Sequence, residues 1–166
     1  MIAGGVGPLR IVVASGVLAA LTGPASAQGL PLPPAPSDYA HAILSLALWA
    51  VLVLVLSAIS TVGRTPDRAP CGKPVRDYAN PVYRRERAFA NAVETSGPFV
   101  AATAAAILAG AAPFWVNLLA AVFVTARLAM AVVHIATEVQ WARSLFWTIG
   151  AVSCLALAGL AAWAIL

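Results

Sequence analysis

Hydrophobic residues in this chain run in blocks too long for the helices of an ordinary soluble core, and short polar stretches separate them. Residues 42–62 carry no charge over 21 positions, enough for one crossing of a hydrocarbon layer about 30 Å thick. A second uncharged interval, 32 residues between Glu94 and Arg127, is too long for one span, and Gly110-Ala-Ala-Pro113 supplies a turn inside it. The last such run follows Arg143 and continues to Leu166. The pattern predicts an all-α integral membrane four-helix bundle, with spans near residues 41–63, 85–110, 114–138 and 144–166.

Composition agrees: 61% of the residues are hydrophobic and 10% charged, too few charges to wet the surface of a soluble domain. Seven of the ten basic residues (Arg64, Arg68, Lys73, Arg76, Arg84, Arg85 and Arg87) lie in or beside the connection between the first two spans. The positive-inside rule therefore places loop 64–84 in the cytoplasm and the C-terminus outside it. A basic loop beside anionic headgroups accounts for the net charge of +4, so no nucleic-acid partner is expected. At the N-terminus, Arg10, the apolar stretch 11–21, Gly23-Pro24 and Ala25-Ser26-Ala27 resemble a signal peptide. This reading divides the chain into a signal peptide over 1–27, a Pro-rich extracytoplasmic linker over 28–40 and a four-span domain over 41–166.

The chemistry concentrates in polar groups set into the spans. Arg87, Asn91 and Glu94 are spaced by four and three residues, which puts them on one face of the second helix. Ionisable groups at that depth are tolerated when they have a partner or a polar ligand. Glu94 lies about 13 Å and Arg127 about 16 Å from the same membrane face by helix rise. An Arg127–Glu94 ion pair is therefore expected between the second and third helices, and such a pair could be a structural clasp without chemistry. Arg127, Met130 and His134 share a face of the third helix, and Arg143-Ser144 opens the fourth. Arg87, Asn91, His134, Arg143 and Arg64 thus form a layer rich in cationic donors, which suits an anionic ligand. Cys71 and Cys154 are too far apart in depth for a disulfide, and His41 and His134 lie on different helices, so no metal site is expected.

The run Arg87-Ala-x-x-Asn91-x-x-Glu94-Thr95-x-x-Pro98-Phe99 resembles the second-helix signature of the MAPEG family, the membrane-associated proteins in eicosanoid and glutathione metabolism. The spacing of Arg127, His134 and Arg143-Ser144 is similar to that family's third and fourth helices. Over about residues 40–166 the resemblance implies a homotrimer of four-helix subunits, of bacterial type and placed in the inner membrane. It further implies that glutathione binds near the cytoplasmic face as co-substrate, held by Arg87, Asn91, Glu94, Arg127, Arg64 and Ser144. Arg143 matches the arginine that stabilises the glutathione thiolate, and His134 is the second candidate catalytic group. Two positions depart from the pattern: His134 stands where many members carry tyrosine, and Ala90 where some carry another arginine. The implied activity is a glutathione-dependent transferase or peroxidase acting on a hydrophobic electrophile from the bilayer. The alternative is a non-catalytic lipid-binding or scaffolding protein of the same fold.

Overall fold

The computed structural model describes residues 34–63 and 69–166. The signal-peptide segment, linker residues 28–33 and Arg64 lie outside the described residues. Four helices follow a single 3-10 turn at Pro36–Tyr39: α1 (Ala40–Thr61), α2 (Pro81–Leu108), α3 (Pro113–Ala136) and α4 (Gln140–Ile165). There is no strand among the described residues. α1, α3 and α4 are each long and apolar enough to cross a bilayer. α2 is not in that set, because its first half carries Arg84, Arg85, Glu86, Arg87 and Glu94.

Two helices begin earlier than the charge pattern predicts. α2 starts at Pro81 rather than near 85, because Asn80 accepts the Val82 amide at 2.8 Å as its N-cap and proline at the first position has no amide to satisfy. α4 starts at Gln140 rather than 144. Charge marks where hydrocarbon ends, whereas hydrogen bonding decides where a helix ends, so Arg84 to Arg87 and Arg143 fall inside helices. α2 also runs through Pro98, which has no amide to donate to the Glu94 carbonyl one turn earlier.

α2 and α3 form the centre of the bundle, each packing on all the other helices, with α1 and α4 on opposite sides of them. Their contact is built on small residues and rings. Ala88, Ala92, Ala102 and Ala106 of α2, with Ala120 of α3, let the backbones approach closely. Phe99 and Phe123 stack face to face at 3.9 Å, and the edge of Trp49 meets both rings, at 6.0 and 5.1 Å. The Trp49 indole nitrogen donates to Ser96 Oγ at 3.1 Å, so the polar atom of this ring is not left unsatisfied in hydrocarbon. Leu44, Leu48, Val51 and Val55 of α1 point outward, as a lipid-facing surface requires.

The two ends of the bundle are closed differently. At the turn end, the Tyr39 hydroxyl donates to the Ala111 carbonyl at 2.6 Å. Asn117 Oδ1 accepts the Ala42 amide at 2.8 Å, and its Nδ2 donates to the Asp38 carbonyl at 2.7 Å. Asn117 on α3 therefore satisfies an amide that the first turn of α1 leaves without a partner. Asn117→Leu is expected to cost about 1–2 kcal/mol, the scale of a lost helix cap, read as a lower melting temperature in detergent. At the loop end, Arg85 Nη2 donates to the Val62 carbonyl at 2.8 Å, tying α2 to the end of α1. Arg84 Nε donates to the Ile135 carbonyl at 3.1 Å, tying α2 to the end of α3.

Candidate functional site

At the loop end, α2, α3, α4 and the loop before α2 enclose an open cleft of about 280 Å³. Arg87 and Asn91 come to it from α2, Met130 and His134 from α3, and Arg143 and Ser144 from α4. The structure thus brings together five of the residues singled out by spacing and resemblance: Arg87, Asn91, His134, Arg143 and Ser144. Two guanidinium groups line the cleft and no carboxylate does, so its field favours an anion.

Two of these groups have buried nitrogen atoms without an intrachain hydrogen-bond partner. Arg143 Nη1 is buried without a hydrogen-bond acceptor, and neither ring nitrogen of the buried His134 has a partner. Asn91 Nδ2 donates back to the Arg87 carbonyl at 2.8 Å, which leaves Oδ1 as an acceptor for a ligand amine or amide. Buried polar atoms in a folded protein are nearly always satisfied, so a cluster of unsatisfied ones beside a cleft points to a ligand. Among the described residues no group of His, Cys, Asp and Glu has a metal-binding arrangement.

Glu94 and Arg127 do not line this cleft, although Arg127 borders a small internal cavity together with Asn91, Met130 and His134. Both line a second, mainly apolar cleft of about 400 Å³, together with Pro98, Phe123, Cys154 and Leu155. They share the lining of this cleft, but the ion pair expected between them is not formed in this chain. The Glu94 side chain is 60% exposed and reaches Arg87 at 4.0 Å. Arg127, only 4% exposed, lies between the rings of Phe123 (5.3 Å) and Trp147 (5.6 Å), with Nη1 at 3.4 Å from Met130 Sδ. The cause is Gly150 on α4, where the absence of a side chain leaves the space that the guanidinium fills. Depth arithmetic along one helix does not register an opening in its neighbour.

Four residues of the cationic cleft were missed by sequence reasoning: Tyr78, Gln140, Trp147 and Thr148. Trp147 and Thr148 lie four residues after Arg143 and Ser144, so helical periodicity could have found them. Tyr78 is in a loop, where no periodicity operates. The MAPEG family model matches residues 42–163, a stretch containing every residue of the cleft. The chain belongs to the MAPEG family. Comparison with curated proteins gives no match. MAPEG proteins use glutathione, and the family includes transferases and peroxidases as well as non-catalytic members.

Proposed function

We propose that this MAPEG protein is a glutathione-dependent membrane transferase or peroxidase, with glutathione bound in the cationic cleft. The observation that carries the reading is the convergence of Arg87, Asn91, His134, Arg143 and Ser144 on one cleft without a carboxylate. Glutathione has two carboxylates, one ammonium and a thiol. Arg87 suits a carboxylate, Asn91 Oδ1 an amine or amide, and the unpaired Nη1 of Arg143 the sulfur.

A thiol with a pKa near 8.5 reacts as its thiolate, and lowering that pKa by two units takes about 2.7 kcal/mol of preferential stabilisation. One guanidinium in a water-poor site supplies an interaction of that size. In the transferase step the thiol proton passes to solvent water, the thiolate forms a C–S bond to an apolar electrophile, and the electrophile's leaving group departs with the bonding pair. Under this proposal Ser144 hydrogen-bonds the sulfur, and His134 donates to or accepts from the reacting groups. In this reading the loop end faces the cytoplasm of a bacterial inner membrane, and neighbouring copies in a trimer close the open side of the cleft.

Calorimetric titration of the detergent-purified protein with glutathione tests the proposal. Wild type is expected to bind, and Arg87→Ala to bind roughly tenfold or more weakly, the scale of one charge-assisted hydrogen bond. A flat titration for wild type would overturn the reading and favour a non-catalytic role.

A further inference from the structure

The cleft has one wall that belongs to no helix. Residues 69–80 come down onto α2 and are fastened there at several points. Lys73 Nζ meets the Glu86 carboxylate at 3.5 Å and Asn80 caps α2, while within the loop the Ala79 amide donates to Asp77 Oδ1 at 2.9 Å. Arg84 Nη1 donates to the carbonyls of Tyr78 and Ala79 at 2.7 and 3.0 Å, while Nε of the same guanidinium holds Ile135 at the end of α3. The Tyr78 backbone is thereby held by Arg84 of α2, and the same guanidinium is itself bonded to the end of α3. The Tyr78 ring is braced edge-on by Tyr83 at 5.1 Å and lies 4.7 Å from Cζ of Arg143, with His134 6.0 Å away.

We infer that Tyr78 is a positioning residue for Arg143, holding its guanidinium in the cleft and shielding one face from water. The inference rests on the glutathione reading and adds a residue to it. An arginine in the first turn of a membrane helix has a long stem and a strong tendency to snorkel toward headgroups and water. The Tyr78 ring opposes that movement, because a guanidinium stacked on an aromatic face loses that attraction when it swings out. With its face covered, the group's remaining N–H donors are those at its edge, and Nη1 is buried and unpaired. A thiolate meeting that edge interacts with a fixed charge in a medium partly cleared of water, where the attraction is stronger than in bulk solvent.

The role belongs to the ring, not to the hydroxyl, and that distinction makes it testable. The thiolate absorbance of bound glutathione would be titrated against pH in wild type, Tyr78→Phe and Tyr78→Leu, with melting temperatures recorded for each. Arg87 and His134, the other ionisable or charged groups of the cleft, are unchanged in all three. Tyr78→Leu, which keeps an apolar side chain but removes the aromatic face, is expected to raise the thiol pKa by about one unit, a tenfold loss of thiolate at a given pH below it. Tyr78→Phe is expected to titrate like wild type. A Tyr78→Leu curve superimposed on wild type would overturn the inference, and so would a Tyr78→Phe shift as large as that of Tyr78→Leu. Absence of the band in wild type would instead overturn the glutathione reading beneath it.

Discussion

Arg143→Ala is expected to abolish the thiolate band of bound glutathione at neutral pH and to lower kcat/KM for a hydrophobic electrophile by about a hundredfold or more. The magnitude follows from two separate losses. Without the guanidinium the thiol returns toward its ordinary pKa near 8.5, so at neutral pH only a few per cent is ionised. The transition state also loses a preorganised donor, and removing one such donor from a water-poor site typically costs on the order of 10²–10³ in rate. Binding is expected to weaken far less than turnover, because Arg87, Asn91 and Ser144 remain in the cleft. Arg143→Lys separates charge from geometry. The ammonium keeps the charge but has neither the planar fork nor the flat face that stacks on Tyr78, so it should recover only part of the band. Steady-state kinetics and the ultraviolet titration read these outcomes. An Arg143→Ala enzyme with unchanged kcat would remove this residue from the chemistry.

The largest structural effect is expected at Gly150. A Cβ there would lie 2.8 Å from Arg127 Nε and 3.3 Å from Cζ, in a place where the guanidinium is enclosed by Phe123, Trp147 and Met130. Arg127 would have to leave its rings or push α4 away from α3, and α3 and α4 form the most extensive helix contact in the bundle. Overpacking of this kind costs about 1–3 kcal/mol, and Gly150→Ala should lower the melting temperature by roughly 3–10 °C on the usual scaling for a chain of this length. The decisive comparison is a double-mutant cycle. Arg127→Met replaces the guanidinium with a slimmer, apolar and adaptable side chain, so Gly150→Ala should be much less costly in that background. Equal losses in both backgrounds would mean that the glycine serves something other than Arg127.

Much of the fold was legible because a bilayer imposes simple rules. Uncharged runs of about 20 residues mark spans, Gly110 to Pro113 marks the turn, and the spacings Arg87/Asn91 and His134/Arg143-Ser144 place those side chains at one end of three helices. The spacing of Glu94 was equally clear, yet its carboxylate turns to Arg87 and not to Arg127. Periodicity gives the face of a helix, whereas the path of a long side chain depends on what the neighbour leaves open, here Gly150. The ends of α2 and α4 were missed because Asn80 capping and backbone hydrogen bonding, not charge, set them. Tyr78 was beyond reach for a different reason: its position depends on Arg84 reaching out of α2 to hold a loop carbonyl, a tertiary contact with no local signature.

The central claim concerns the location of one sulfur atom. An experimental structure of the protein in nanodiscs with glutathione added would test it most directly. The account predicts tripeptide density in the cleft bounded by Arg87, Asn91 and Ser144, with the sulfur within hydrogen-bonding reach of an Arg143 nitrogen, about 3.5 Å or less for a sulfur acceptor. Glutathione bound at another place on the bundle, or an Arg143 side chain directed away from the cleft toward the headgroups, would contradict it.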